Sequence, residues 1–216
     1  LDGGYSELIK ISADDLIPLP ESLGFEEGAS IPLVFITAWR MLFELARVQP
    51  GEWVLITAAG SGVGIAAIQL ARLTGARVIT TASTPAKRQR GVELGAEAAV
   101  DYTRAAWVKE VLDLTGGEGV AACIDNVGGS IFTDSIEAMS RGGRMVNCGT
   151  TAGPLDVSVE ALRSRRVSFT ASYMGSNGYL HEILELFEAG TLKPVIYEVF
   201  PFERIQDAHR AMIDRN

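Results

Sequence analysis

Short apolar runs alternate with helix-length amphipathic segments along most of the chain. The apolar runs fall near 53–59, 77–83, 98–102, 120–127, 144–149 and 167–174. Strands that alternate with helices are typical of a parallel sheet that helices cover on both faces. With right-handed connections, these runs predict an α/β fold of the doubly wound Rossmann type, in which a ligand lies beyond the carboxyl ends of the strands.

Two helices have patterns that also predict their bounds. Residues 179–189 place their apolar side chains on one stripe, and Gly190 after them is typical of a helix end. Residues 32–48 repeat apolar residues at helical spacing up to a proline–glycine turn. We therefore expect one continuous helix over each of these segments.

The two ends of the chain do not continue the alternation. Residues 5–11 alternate between apolar and polar positions, which predicts a strand, but the chain offers no obvious partner strand for it. The tail predicts a short strand over 195–199 and then a helix that carries Ile205, Ala208 and Met212 on one face. Both ends are therefore expected to lie outside the main sheet.

A glycine-rich turn follows the first predicted strand and leads directly into a helix. Small residues in Gly60-Ser61-Gly62-Val63-Gly64 would let the backbone approach a ligand, and the N–H groups at the start of the helix favour an anion. The spacing departs from G-x-G-x-x-G because residue 65 is Ile, so the motif alone is weak. Its place between two predicted strands favours a pyrophosphate site over a turn that binds nothing.

Composition narrows the class of protein further. The 216 residues are 47% hydrophobic and carry a net charge of −8, and no broad cationic face is apparent, so nucleic acid is not an expected partner. Cys123 and Cys148 are expected to be core thiols in a reducing compartment, although a disulfide stays open at this point. No apolar run approaches the length of a membrane span and no signal-peptide pattern is present, so we expect a cytoplasmic protein without a membrane partner.

Several short segments together resemble the medium-chain dehydrogenase/reductase superfamily, in its zinc-type alcohol dehydrogenase and quinone oxidoreductase branches. They are Gly3-Gly4-Tyr5-Ser6-Glu7, Leu16-Ile17-Pro18-Leu19-Pro20, Thr37-Ala38-Trp39, 59–64, Leu94-Gly95-Ala96, Asp125-Asn126-Val127-Gly128-Gly129, Gly142-Gly143-Arg144 and Gly190-Thr191-Leu192-Lys193-Pro194. The resemblance covers essentially the whole chain. It implies an oxidoreductase that transfers a hydride between a nicotinamide and a carbonyl, alcohol or quinone.

The same resemblance implies that the chain is the cofactor-binding half of such an enzyme. Residues 1–20 would be the last strand and linker of a GroES-like catalytic domain, 21–192 the NAD(P)-binding domain, and 193–216 a return segment. We expect this half to bind nucleotide but to turn over poorly alone. Two alternatives stay open, a non-catalytic nucleotide-sensing module and an enoyl reductase-type domain of a larger synthase.

The end of the second strand favours NADP(H) over NAD(H). Ala82 stands where a site selective for NAD usually has an acidic residue. The hydroxyls of Ser83 and Thr84 and the cations of Lys87 and Arg88 follow it, where they would attract a 2′-phosphate. In the quinone oxidoreductase branch a Lys and a Tyr flank this phosphate, and Lys87 and Tyr102 keep their spacing. The alternative is that the two cations are merely solvated.

The resemblance also assigns residues to the nicotinamide end of the cofactor. It places Asn126 and Val127 near the nicotinamide ribose, with Thr37 approaching from the catalytic side. The remaining assignments are strand-end residues, for which a plain role in the core is the alternative. They are Cys148, Gly149 and Thr150 beside the ribose, and Ala171 and Tyr173 at the carboxamide.

No catalytic residue and no metal site can be assigned from the sequence. A zinc ion in this family would be held by Cys, His and acidic ligands, but the family's later cysteine aligns with Leu33. His181 and His209 have no second ligand at a suitable spacing, so we expect solvated or satisfied histidines. This half therefore gives no support for zinc. We expect a homodimer through the edge strand 167–174, in addition to a small-molecule substrate.

Overall fold

The computed structural model of the chain describes residues 4–214 and contains a single parallel sheet in that range. Gly3 of the first resemblance segment lies outside the described residues. The strands are β1 (Trp53–Ile56), β2 (Arg77–Thr81), β3 (Ala98–Val100), β4 (Val120–Asp125), β5 (Met139–Asn147) and β6 (Ser168–Ala171). They run in the spatial order β3-β2-β1-β4-β5-β6, which is the order of a dinucleotide-binding Rossmann fold. The fold prediction is thus confirmed.

Helices cover both faces of this sheet. Because successive strand residues point to opposite faces, Val54 and Ile56 of β1 belong to one apolar core and Leu55 to the other. The helices are α1 (Phe25–Ser30), α2 (Pro32–Trp39), α3 (Gly62–Leu73), α4 (Pro85–Glu93), α5 (Trp107–Leu114), α6 (Gly129–Glu137), α7 (Val159–Arg165), α8 (Tyr179–Glu188) and α9 (Ile205–Ile213). Helices α2, α3 and α8 pack on the first core, and α5, α6 and α7 pack on the second.

The predicted helix 179–189 is confirmed as α8, and Gly190 follows it with a φ of 68°. The predicted helix 32–48 forms only in part. It is α-helical to Trp39 and continues as a π-helical turn over Arg40–Leu45, in which the Ala46 amide donates to the Met41 carbonyl. The wider turn changes which side chains face the sheet, and such turns often occur near functional sites.

All six strands differ in their bounds from the predicted runs, and β1 to β4 end two or three residues earlier than predicted. β5 begins at Met139 instead of residue 144, because Met139 pairs with Val120 before the intervening residues bulge out of register. β6 ends at Ala171 instead of residue 174. Beyond it the chain turns towards α2, where a Cβ on Gly175 would lie 2.3 Å from the Ile36 carbonyl oxygen.

The two ends of the described chain lie outside the sheet. Residues 5–11 form no strand pairing with any described residue, and the strand predicted over 195–199 does not form. The tail helix is present as α9, and the Tyr5 hydroxyl lies 2.9 Å from Nε2 of His209 on that helix. No helix within residues 4–214 is long and apolar enough to cross a lipid bilayer.

Candidate functional site

The turn between β1 and α3 is the most tightly built part of the site. Ala58 has a left-handed φ of 58°, and the Ser61 side chain caps α3 by accepting a 2.9 Å hydrogen bond from the Gly64 amide. A Cβ on Gly64 would lie 2.1 Å from the Ala58 carbonyl oxygen, closer than any side chain could approach. Only glycine therefore permits this turn, which leaves the amides at the start of α3 directed away from the helix.

A cleft of about 660 Å³ opens beside this turn, at the carboxyl ends of the strands. It brings together the glycine turn, the end of β2, the segment after β3 and the start of the β4–α6 turn. A site at this edge of the sheet agrees with the general position of ligands in doubly wound folds. The predicted site residues that line it are Gly60, Ser61, Gly62, Ser83, Thr84, Lys87, Tyr102, Asn126 and Val127.

Helix α4 begins at one end of the cleft. The Thr84 hydroxyl caps the helix by accepting from the Lys87 amide at 3.3 Å. The Lys87 side chain lies along the glycine turn, since a Cβ on Gly60 would be 3.0 Å from Lys87 Cδ. The cation of Lys87 is thereby kept at the cleft.

Arg88 does not line the cleft with Lys87. Consecutive residues of an α-helix point about 100° apart, so the two side chains leave α4 in different directions. The Arg88 guanidinium instead lies 2.9 Å from an Asp101 carboxylate oxygen and donates to the Ala82 carbonyl at 3.3 Å. The expectation that Arg88 supplies a second cation beside a 2′-phosphate receives no support from this geometry.

A buried polar network holds the other end of the cleft. The Asp125 carboxylate is fully buried and accepts from the Thr57 hydroxyl at 2.9 Å and from the Asn147 amide at 2.5 Å. It also accepts from the backbone amides of Val127 and Gly128 at 3.2 and 3.1 Å. These bonds join the ends of three neighbouring strands to the turn before α6 and satisfy the buried carboxylate.

Asn126 connects this network to the glycine turn. Its side-chain amide donates to the Thr57 carbonyl at 3.1 Å, and its side-chain oxygen accepts from the Ser61 hydroxyl at 3.1 Å. The turn after β4 is therefore fixed relative to the cap of α3. Sequence reasoning missed Thr57, Asp125 and Asn147 as site residues, although each is a polar residue that ends an apolar run at the same edge of the sheet.

The other predicted site residues do not line the cleft. Val63 and Gly64 continue α3 behind the turn, and Thr37 is buried on α2, where its hydroxyl donates to the Leu33 carbonyl. Gly149 packs against the turn after β4, since its Cβ would lie 2.9 Å from the Asn126 carbonyl oxygen. The rest follow β5 or end and follow β6, and they are Cys148, Thr150, Ala171 and Tyr173.

The cleft also has a lining that the sequence did not predict. Thr151 and Ala152 from the segment after β5 and Ile131 from α6 line it. Residues of the tail, including Met212 of α9, line it as well. The position of the tail depends on how distant parts of the chain pack together, so a local pattern could not indicate it.

Both cysteines are free thiols, which resolves the question of a disulfide. Burial raises the pKa of the Cys123 thiol well above its ordinary value. Burial, with a further contribution from the charge of Asp125, raises the pKa of the Cys148 thiol from 9.0 to about 11. At neutral pH both side chains therefore behave as neutral, unreactive groups.

We expect Cys148 to resist alkylation at pH 8. A pKa raised by two units lowers the thiolate fraction about 100-fold, and the thiolate is the reacting form. The rate with iodoacetamide should rise steadily as the pH approaches 11. Mass spectrometry of the Cys148 peptide, with N-acetylcysteine in the same solution as reference, measures this rate. A rate at pH 8 equal to that of the reference thiol would contradict the environment described above.

A zinc site does not fit the residues described here. Within residues 4–214 no three His, Cys, Asp or Glu side chains lie close enough together to hold a metal ion. His209 contacts Tyr5, and His181 is exposed on α8. Leu33 is also exposed and has no atom that could coordinate a metal.

Comparison with known proteins identifies a family model and several relatives that match this chain. The model of the zinc-binding dehydrogenase family matches residues 62–189. A phenolphthiocerol/phthiocerol polyketide synthase of Mycobacterium tuberculosis is 32% identical over 97% of this chain, which spans 10% of that protein. Quinone oxidoreductase of Mus musculus is 29% identical over 99% of this chain, which spans 66% of it.

Two solved structures are similar over nearly all of the chain. An NAD-dependent alcohol dehydrogenase superposes with a TM-score of 0.94 at 41% identity, covering 99% of this chain and 63% of its own. A mycobacterial protein in complex with NADPH superposes with a TM-score of 0.85 at 29% identity, covering 91% of this chain and 64% of its own. The chain thus spans about two thirds of these relatives and a tenth of the polyketide synthase.

Proposed function

Because this chain belongs to the zinc-binding dehydrogenase family and is the cofactor-binding half of a medium-chain dehydrogenase/reductase, we propose that it binds NADP(H) in the cleft beside Gly60. The protein that contains it would then transfer a hydride between the nicotinamide and a carbonyl, alcohol or quinone. The fit of Gly64 beneath the Ala58 carbonyl carries this proposal, because it shapes a turn whose amides can receive a pyrophosphate.

The preference for NADP(H) rests on the residues after β2. The strand leads into Ala82, whose methyl side chain cannot accept a hydrogen bond from an adenosine ribose, and Ser83, Thr84 and Lys87 line the cleft beyond it. The carboxylate that lines the cleft within residues 4–214 is Asp214, at the end of α9 rather than of β2. A lysine and two hydroxyls suit the additional charge of a 2′-phosphate.

Each part of the cleft would hold one part of the cofactor. The amides of Gly60 and Gly62 would take the pyrophosphate, while Ser83, Thr84, Lys87 and Tyr102 would take the adenosine phosphate. Asn126 and Val127 would lie at the nicotinamide ribose. The remaining contacts follow the family resemblance and would come from Thr37, Cys148, Gly149, Thr150, Ala171 and Tyr173.

The nicotinamide supplies the hydride chemistry when it is bound. The residues of this chain bind the cofactor, orient its ring through the network around Asp125 and help to exclude water from one side. We assign no residue of this chain to the polarisation of a substrate carbonyl, since no described side chain is placed for it. Substrate selection would then belong to the partner region that the family places beside this fold.

We expect Lys87→Ala to weaken NADPH binding tenfold to about 100-fold, because a charge-assisted bond to the phosphate is worth about 1.5–3 kcal/mol. NADH binding should change by less than about threefold, since NADH lacks that phosphate. Ser83→Ala should act in the same direction with a smaller effect. Fluorescence titration with both nucleotides measures the two affinities.

Arg90→Ala is the matched control for this prediction. Arg90 lies on the same helix, but its guanidinium pairs with Glu93 on the exposed surface. Arg90→Ala should leave the affinities for NADPH and NADH unchanged. Equal losses of NADPH and NADH affinity in Lys87→Ala would defeat the assignment of the phosphate site.

A second candidate function is an enoyl reductase domain within a multidomain synthase. The similarity to a polyketide synthase over 97% of this chain favours it. Both candidates use the same nucleotide cleft, and a nucleotide-sensing module would share it too. The sequence on either side of this segment distinguishes them, because a synthase would place acyl-carrier or acyltransferase regions next to it.

We also propose that two copies of the chain associate through β6. This strand lies at the edge of the sheet, where unpaired backbone groups favour the addition of another strand. A proline in place of Ala171 would block such pairing, because the Ala171 amide faces the free edge while the Ser172 amide, one residue on, donates to Asn147 of β5. Light scattering at high concentration should give the mass of two chains for the wild type, and a purely monomeric mass would contradict the proposal.

The free thiols also support a reducing compartment such as the cytoplasm. Cys123 is fully buried, and Cys148 is half-buried beside the cleft, so neither has a disulfide partner in the described chain. Proteins of oxidising compartments more often use their cysteines in disulfides. We therefore propose a cytoplasmic location.

A further inference from the structure

Two pairs of consecutive residues face each other at the adenosine end of the cleft. Lys87 and Arg88 are neighbours on α4, and Asp101 and Tyr102 are neighbours after β3. Lys87 and Tyr102 line the cleft, while Arg88 and Asp101 form an ion pair of 2.9 Å beside it. The ion pair thus joins the same two segments that carry the cleft-lining residues.

Both ends of this ion pair are held by further bonds. The Arg88 guanidinium also donates to the Ala82 carbonyl at 3.3 Å, which ties α4 to the end of β2. The second oxygen of Asp101 accepts from the Thr103 hydroxyl at 2.7 Å and from the Thr103 amide at 3.1 Å. The carboxylate therefore fixes the turn that contains Tyr102 as well as the helix that contains Lys87.

The ion pair is partly shielded from water. The side chains of Arg88 and Asp101 are 23% and 18% exposed, unlike the exposed pairs elsewhere on α4 and α5. Hydrogen bonds from Thr103, with smaller contributions from Arg88 and Arg104, lower the pKa of the Asp101 carboxyl. Shielded pairs with several bonds hold geometry better than solvated ones.

We propose that the Arg88–Asp101 ion pair is the positioning element that sets the separation of Lys87 and Tyr102, and so determines how strongly the cleft prefers a 2′-phosphate. Arg88 acts through its neighbours and does not contact the phosphate itself. This inference rests on the proposed NADP(H) site. It adds two specificity-determining residues that lie outside the lining of the cleft.

The sign of one substitution separates positioning from direct binding. If Arg88 were itself a phosphate ligand, Asp101→Asn would release its cation and strengthen NADPH binding. If the ion pair positions Lys87 and Tyr102, the same substitution loosens both segments and weakens NADPH binding. We expect a loss of about 5- to 20-fold, typical of coupled neighbours, with NADH affinity changed less than about twofold.

The test measures NADPH and NADH affinities of the chain by fluorescence titration, together with its unfolding midpoint. The variants are Asp101→Asn, Arg88→Met and their double mutant, which should lose no more than either single variant. The matched control is Glu97→Gln. Glu97, just before β3, pairs with Arg77 at the start of β2, so this ion pair lies at the ends of the strands that are opposite to the cleft. It should leave the NADPH-to-NADH ratio unchanged.

Arg88→Lys gives a milder second variant, since it keeps the positive charge but replaces the rigid planar guanidinium by a flexible ammonium. The inference is supported if the ratio of NADPH to NADH affinity falls in Asp101→Asn, Arg88→Met and Arg88→Lys. The unfolding midpoints of these variants should stay close to that of the wild type. Unchanged or tighter NADPH binding in Asp101→Asn overturns it. Lys87→Ala distinguishes a failure of this inference from a failure of the proposed phosphate site. If Lys87→Ala loses NADPH affinity selectively and Asp101→Asn does not, only the positioning role is wrong. If Lys87→Ala shows no selective loss of NADPH affinity, the phosphate site and this inference are both wrong.

Discussion

Gly64→Ala is expected to abolish measurable nucleotide binding and to lower the free energy of unfolding by about 3 kcal/mol, at the upper end for overpacking. The added Cβ would lie 2.1 Å from the Ala58 carbonyl oxygen and 3.0 Å from the Ser61 hydroxyl. A backbone carbonyl cannot rotate away as a flexible side chain can. Either α3 moves off the sheet or the turn changes shape, and both outcomes displace the amides that would hold a pyrophosphate.

The measurement combines urea unfolding with titration by NADPH and NADH. Both affinities should fall more than about 100-fold, because the pyrophosphate is common to both nucleotides. Gly4→Ala is the control, since nothing lies within 4 Å of the added atom. If Gly64→Ala bound either nucleotide as tightly as the wild type, the turn between β1 and α3 would not be the pyrophosphate site.

The six parallel strands and the edge of the sheet at which the cleft lies could be predicted because both depend on local patterns. Each strand of the sheet is an apolar run that ends in a turn, and parallel strands bring all those turns to one edge. The start of β5 was predicted wrongly for a different reason. Met139 belongs to the strand only through its pairing with Val120, and the residues between Met139 and Arg144 bulge out of register. Pairing between distant segments leaves no periodic pattern in the sequence.

The candidate site could be predicted in part for the same reason. The glycine turn and the segment 83–87 were found from small residues, hydroxyls and charge in a fixed local order. Arg88 was expected beside Lys87, because composition does not show that the Arg88 guanidinium pairs with Asp101 instead of lining the cleft. Asp125 was overlooked because a buried carboxylate has no distinctive spacing. Its side-chain partners come from the ends of two other strands, β1 and β5, and are recognised only when the sheet is assembled.

Asp125→Ala is expected to lower the free energy of unfolding by roughly 4 kcal/mol, since breaking a buried charged network is among the most destabilising single changes. It leaves the amides of Val127 and Gly128 buried without an acceptor, and it removes the partner of Thr57 and of Asn147. Asp125→Asn keeps the shape but presents an amide to some of these donors. Its loss should be about 2 kcal/mol.

The nucleotide affinities of Asp125→Asn show whether the network also orders the cofactor site. Asn126 is held between Thr57 and Ser61, so a displaced turn after β4 should weaken NADPH and NADH by the same factor, about tenfold. The NADPH-to-NADH ratio should stay constant, in contrast to Lys87→Ala. Asp134→Asn, on the adjacent helix α6, is the matched control and should leave both affinities and the unfolding free energy close to those of the wild type. A selective loss of NADPH in Asp125→Asn would mean that the network acts on the adenosine end, and the arrangement of the cofactor proposed here would have to be reversed.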